Sequence, residues 1–302
     1  MHRTRHRPGR FTNHLCVLGM TSLTEVAECS VMEKMGLKIL VLSFYYPPDL
    51  CAGSFRASAL VKSLSCQVPD GGHIDVVTTM PNRYSTYRAE VSETEEMDNV
   101  SIKRIPIPTH KSGLKDQAVA YSVFFFKAGH HIRSKDYDVV VATSSRLMTA
   151  FMGARIARRV GVPLYLDVRD IFADTMGDVF KNRLVGRLAS VFRVVESYTM
   201  SKAKVINLVS PGFTDYFSKK YKQPVYHTFT NGVDDEFIGR FDLSKEAESS
   251  NDKGKITILY AGNIGEGQGL HNLVADFARK IGQRYEIQII GDGGKRHELE
   301  QS

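Results

Sequence analysis

The sequence is constrained most by its rhythm. From Lys38 onward, short and continuously apolar runs alternate with longer segments of helical spacing. Lys38–Ser43 reads KILVLS, without the polar alternation of a half-exposed strand, so it must be buried on both faces. Ile74–Thr79 (IDVVTT), Val100–Ile105, Tyr137–Thr143 (YDVVVAT), Pro163–Val168 (PLYLDV), Lys204–Val209 (KVINLV) and Pro224–Phe229 are predicted to be further strands. Between them, Ser54–Leu64, Leu114–Ile132, Arg146–Val160, Leu184–Ala203 and Pro211–Tyr221 carry helical patterns. Arg155, Arg158 and Arg159 suit the negative end of a helix, and Gly161 stops it. Repeated strand–helix alternation demands parallel crossovers, hence an α/β chain with a parallel sheet covered by helices on both faces.

The length of 302 residues suggests two domains, at roughly 150 residues each. Apolar residues make up 42% and charged residues 24%, which excludes a disordered or collagen-like chain. No apolar run reaches the roughly 18 residues that span a bilayer. Cys16, Cys29, Cys51 and Cys66 show no ligand spacing and read as free thiols of a reducing, cytoplasmic compartment. Residues 1–34 hold Arg3, Arg5, Arg7 and Arg10 with no sustained apolar pattern. They are read as a disordered or spurious extension. Residues 35–238 form the first domain, and the polar stretch 239–255 a linker. A second unit starts at 256, with strands Ile256–Tyr260 and Tyr285–Ile290 and helices over Gly267–Ile281 and from Lys295. A doubly wound domain needs about four or five strands. Only the start of one is therefore expected in 256–302.

Ligands of open parallel sheets bind beyond the C-terminal strand ends. After the first strand, Pro47-Pro48 sets a rigid turn, Gly53 allows close backbone approach, and Ser54 is placed to cap the next helix. Arg56 falls in that helix's first turn, where a cation is unfavourable unless an anion lies nearby. After Val168 comes Arg169-Asp170, which puts charge at the crevice, with an internal Asp167–Arg169 salt bridge as the plainer reading. In the second unit, Gly262, Asn263, Gly265, Gln268 and Gly269 precede a helix, and Gly293 and Lys295 repeat the arrangement after the next strand. Two glycine loops before helices suit a nucleotide diphosphate. The GxGxxG fingerprint of nicotinamide binding is absent from the first loop.

With these loops in order, Lys38 to Ser302 resembles the family 4 glycosyltransferases. These are retaining, metal-independent enzymes of the GT-B fold, most similar here in their bacterial polysaccharide and O-antigen subgroup. The resemblance rests on Tyr46-Pro47-Pro48 with Ala52-Gly53-Ser54-Phe55-Arg56, Thr78-Thr79-Met80-Pro81-Asn82, and Asp167-Val168-Arg169-Asp170-Ile171-Phe172. It continues through Phe229-Thr230-Asn231-Gly232-Val233-Asp234, Tyr260-Ala261-Gly262-Asn263-Ile264-Gly265 with Gln268-Gly269-Leu270, and Ile290-Gly291-Asp292-Gly293. It implies a GT-B-like chain: a Rossmann-like acceptor domain and the start of a nucleotide-sugar-binding domain. Asp170 and Arg169 become catalytic residues, Gly53, Ser54 and Arg56 acceptor-binding. Gly262, Asn263, Gly265, Gln268, Gly269, Gly293 and Lys295 would bind the donor phosphates. No metal or other cofactor is expected, the nucleotide sugar being a co-substrate. Many relatives carry Arg and Lys where Asn263 and Gln268 stand here. The paired glutamates of the family would lie beyond residue 302, so little or no transfer by these 302 residues is expected.

Other readings stay open. The basic amphipathic segment Val179–Lys204 could lie on an anionic membrane or simply pack on the sheet. Tyr121–Phe126 could add an aromatic edge or belong to the core. A nucleotide-sugar epimerase and a non-catalytic sugar- or partner-binding remnant are the alternatives to a transferase. No nucleic-acid-binding motif accompanies the net charge of +7.

Overall fold

The computed structural model describes residues 36–82, 90–108, 114–133, 136–144, 146–171, 183–233 and 256–302. The basic extension over residues 1–34 and the linker 239–255 lie outside them. The chain divides into two compact units, Met1–Gly232 and Val233–Ser302.

The first unit carries β1 (Lys38–Leu42), α1 (Ala52–Ser65), β2 (His73–Thr79), β3 (Thr94–Met97), β4 (Val100–Ile105), α2 (Leu114–Ile132) and β5 (Val139–Thr143). It continues with α3 (Leu147–Val160), β6 (Leu164–Val168), α4 (Arg183–Lys202), β7 (Val205–Leu208), α5 (Thr214–Lys220) and β8 (Val225–Thr228). Among the described residues these strands form one sheet in the order β3-β4-β2-β1-β5-β6-β7-β8. All neighbours are parallel except β3, which runs antiparallel to β4 at the edge. The expected parallel α/β architecture is present. β3 is not among the strands expected from the sequence, because the polar edge strand TEEM has no apolar signature.

Burial explains why the strands read as continuous apolar runs. On one face, Ile39, Val41, Ala57, Val61 and Leu64 form a cluster with α1. On the other, Leu40, Leu42, Phe124, Ala128, Met152 and Met200 pack among α2, α3 and α4. The helix α3 comes very close to β5, since a Cβ on Gly153 would fall 2.6 Å from the Ala142 Cβ. Ala150, Ala154 and Ala157 keep that interface thin. Gly161, with φ +81°, ends α3 in the left-handed conformation.

A buried charge network ties α4 to α5. Glu196 is fully buried and accepts from Lys220 Nζ at 2.7 Å and Tyr221 Oη at 2.9 Å. Burial, helped by Glu196, pushes the Tyr221 phenol well up. Glu196→Ala is expected to destabilise the unit by about 2–4 kcal/mol, because it strands a buried donor. Urea unfolding checks this.

The second unit holds β9 (Ile256–Ala261), α6 (Leu270–Ile281), β10 (Tyr285–Ile290) and α7 (Arg296–Glu300). Its two strands pair in parallel, and Ile256, Leu259 and Ile290 remain exposed.

Candidate active site

The strand order reverses between β1 and β5: β2, β4 and β3 lie on one side of β1, and β5 to β8 follow on the other. Crevices at such switch points bind ligands in doubly wound sheets. Hydroxyls stitch the strand ends together there. Thr143 Oγ1 donates to Ser43 Oγ at 3.2 Å, and Ser43 Oγ donates to the Tyr45 carbonyl at 2.7 Å. The Ser144 N–H donates to the Asp167 carbonyl at 2.9 Å, and Ser144 Oγ accepts from the Arg169 N–H at 3.0 Å.

A buried aromatic cluster from the exit of β1 and from α2 packs in the core of this unit. Phe44 stacks on Tyr121 at 4.6 Å and meets Tyr45 and Phe124 edge-on at 5.1 and 5.5 Å. The Arg146 guanidinium lies over the rings of Phe44, Tyr45 and Tyr121 at 5.8–5.9 Å and donates to Tyr45 Oη at 2.8 Å. The Tyr121 hydroxyl is buried without a hydrogen-bond partner among the described residues, and burial holds its pKa far above the ordinary value. Arg146 and Tyr45 are functional candidates that sequence reasoning missed. Arg146 is the N-cap of α3, so the argument applied to Arg56 would have flagged it.

Arg169 and Asp170 leave β6 beside Arg146. Burial, then the like charge of Arg56, lowers the Arg169 pKa, while Asp167 and Asp170 oppose this. Asp170 is solvent-exposed, yet desolvation raises its carboxyl pKa against the pull of Arg169 and Arg146. A folded state that holds this proton more tightly loses stability as pH rises through the carboxylate range. Asp170→Asn is therefore expected to leave the Tm at neutral pH unchanged or slightly raised. Its advantage over the parent should disappear as pH falls below the ordinary carboxylate range, where the carboxyl is protonated in the folded and unfolded states alike. Paired thermal melts read both.

Arg56 requires a correction. Its Nε and Nη2 grip Asp167 at 2.8 Å each. Nη2 also donates to the Phe229 carbonyl at 2.8 Å, and Nη1 to the Thr230 carbonyl at 3.0 Å and Asn231 Oδ1 at 3.3 Å. A guanidinium has five N–H donors, and all are engaged within the unit. The anion that tolerates a cation at the start of α1 is Asp167, and Arg56 keeps no donor for an acceptor. The plainer expectation for Asp167 changes too, since its partners are Arg56 and Asn207 Nδ2, the latter at 2.7 Å. Ser54 does not cap α1 either. The helix begins at Ala52 with Cys51 as N-cap, and Gly53 and Ser54 are buried in its first turn. The Ser54 hydroxyl is buried without a hydrogen-bond partner among the described residues.

In the second unit the two glycine loops cross backbone on backbone. A Cβ on Gly291 would lie 1.8 Å from the Gly262 carbonyl oxygen, and one on Gly293 would lie 2.3 Å from that of Ile264. Gly262 N–H donates to the Ile290 carbonyl at 2.9 Å, as does Ile264 N–H to that of Asp292. Gln268 Oε1 accepts from Asn263 Nδ2 at 2.8 Å and from the Gly265 N–H at 3.1 Å. Gly269, with φ +63°, stands directly before α6. Lys295 Nζ bridges Glu298 at 2.7 Å and Glu266 at 3.0 Å.

A family model described as a glycosyl transferase 4-like domain matches residues 57–232, more than half of the chain. The chain belongs to this family. Its architecture is the Rossmann-like α/β fold of the GT-B glycosyltransferases. A sucrose-phosphate synthase from Thermosynechococcus elongatus superposes with a TM-score of 0.59 at 12% identity, over 84% of this chain and 62% of that one. A UDP-forming alpha,alpha-trehalose-phosphate synthase from Burkholderia vietnamiensis gives 0.54 at 12% identity, over 89% and 68%. The chain thus spans less than two thirds of the length of the first of these, and such identities speak for fold alone. No curated protein sequence matches the chain significantly. The glycosyl transferase 4-like match ends at Gly232, where the first unit ends, one residue beyond the Arg56 clamp on Asn231. Arg146, Arg169 and Asp170 all fall inside it.

Proposed function

We propose that this glycosyltransferase-family protein moves a sugar from a nucleotide-sugar donor to a glycan or lipid-linked acceptor. Transfer proceeds with retention, in the cytoplasm, in the building of cell-surface polysaccharide. The observation that carries the reading is the charged crevice of Arg146, Arg169 and Asp170 at the switch point of the family-matched unit. The acceptor hydroxyl oxygen attacks the anomeric carbon as the carbon–oxygen bond to the diphosphate breaks. The acceptor proton passes to the departing diphosphate, so no protein nucleophile is required. Asp170 orients the hydroxyl by accepting its hydrogen bond, and Arg169 holds the acceptor in place. In the second unit the first turn of α6 offers backbone amides and a positive dipole end to the diphosphate. Lys295 joins by exchanging one of its carboxylate partners.

Calorimetric titration with uridine, guanosine and adenosine diphosphates tests the donor side. One of them should bind, and Lys295→Met should weaken it severalfold. Absence of binding by all three sinks the reading.

A peripheral membrane location is a further part of this proposal. It is favoured by Val191 and Val194, which are 59% and 69% exposed on α4 and flank Arg193. Lys181 and the side chains of Arg183 and Arg187 lie outside the described residues. Pelleting with phosphatidylglycerol vesicles at low salt should be lost in Val191→Asp/Val194→Asp.

A further inference from the structure

We infer that Gln268 is a displaceable stand-in for a phosphate oxygen of the donor, and that the turn carrying it is a latch which the diphosphate must open. This rests on the donor reading of the second unit and adds how that site is controlled.

The latch is one short 3-10 turn, Glu266–Gln268, between β9 and α6. Gln268 is exposed, so burial does not fix its side chain. Hydrogen bonds do. Its Oε1 accepts from the Gly265 N–H at 3.1 Å and from Asn263 Nδ2 at 2.8 Å. An oxygen that accepts from a backbone N–H of a glycine loop is the contact a bound phosphate makes there. Here a side chain of the loop supplies that oxygen. Asn263 is itself tethered, since its carbonyl accepts from Tyr260 Oη at 2.8 Å. The fit is close. A Cβ on Gly265 would lie 2.6 Å from Asn263 Nδ2 and 2.9 Å from Gln268 Oε1, so any side chain at 265 would push the pair apart.

A second tether holds the same turn. Lys295 Nζ bridges Glu266 at 3.0 Å and Glu298 at 2.7 Å, so two carboxylates share its charge. A diphosphate carries more negative charge than Glu266 and several acceptor oxygens. It can therefore take over both the Gly265 N–H and Lys295 by charge-assisted hydrogen bonds. The turn also has room to swing, because nothing lies within 4 Å of a Cβ on Gly267 or Gly269.

The test is calorimetric titration of the full chain with uridine, guanosine and adenosine diphosphates and with the matching nucleosides. Gln268→Ala should bind the diphosphate that the parent prefers about two- to tenfold more tightly, the range of one neutral hydrogen bond. Gln268→Glu should bind it more weakly than the parent, because a carboxylate grips the Gly265 N–H more firmly and repels the phosphate. The matching nucleoside, which has no phosphate, should bind the parent and Gln268→Ala alike. A gain in affinity cannot come from a damaged fold. Exchange of the Gly265 amide proton should be severalfold faster in Gln268→Ala. Weaker or unchanged diphosphate binding by Gln268→Ala overturns the inference and spares the donor reading. An equal gain for the nucleoside, or unchanged exchange at Gly265, overturns it too. Binding of no diphosphate by either protein defeats the donor reading and this inference together.

Discussion

Arg56→Ala should destabilise the first unit by about 3–5 kcal/mol, the range for removing one partner of a buried ion pair. The Arg56 side chain is 13% exposed and that of Asp167 3%, so the carboxylate left behind has little water to turn to. Asn207 Nδ2 would be its remaining partner on that oxygen pair. The Phe229 and Thr230 carbonyls would lose their donors at the same time. Arg56→Lys should fall between parent and alanine, because an ammonium cannot grip both carboxylate oxygens and three further acceptors in one plane. Denaturant unfolding reads the difference. A loss below about 1 kcal/mol would put the pair in the class of exposed salt bridges and refute the clamp.

Gly291→Ala should disrupt the second unit, at about 3 kcal/mol or more, above the usual range for an inserted methyl group. The new Cβ would sit 1.8 Å from the Gly262 carbonyl oxygen, which is backbone and cannot rotate aside. The loop must therefore shift, and with it the bond from the Gly262 N–H to the Ile290 carbonyl. Gly267→Ala is the control, since nothing lies within 4 Å of a Cβ there. Amide exchange across β9 and β10 should speed up strongly in the first variant and hardly change in the second. Equal protection in both would mean that the loop crossing is not what holds the strands.

Most of the sheet was readable because it is buried on both faces. KILVL and VVVAT are short, β-branched apolar runs that suit strands covered on both faces, and Gly161 marks a helix end. What escaped was long-range. TEEM pairs at a solvent-exposed edge and owes its strand state to β4 alone. Arg56 carried the right signal, a cation in a first turn that needs an anion. The sequence could not say that the anion sits 111 positions later, inside the protein. Two glycine loops before helices suit phosphate cradles, and close backbone crossing explains Gly291 and Gly293 at least as directly. Arg146 was passed over because aromatic residues from β1's exit loop and α2 assemble around it only in three dimensions.

The strand order also bears on how the chain is born. β1 sits at the sheet's centre, and its second neighbour pairs Ile39 with Val139, a hundred positions downstream. At about 5–20 residues per second, a ribosome needs about 5–20 seconds to deliver β5 after β1 has emerged. For that interval one edge of an apolar strand waits unpaired, a template for any other extended chain nearby. Productive yield in a cell should therefore depend more on holdase chaperones than on the final stability of the sheet.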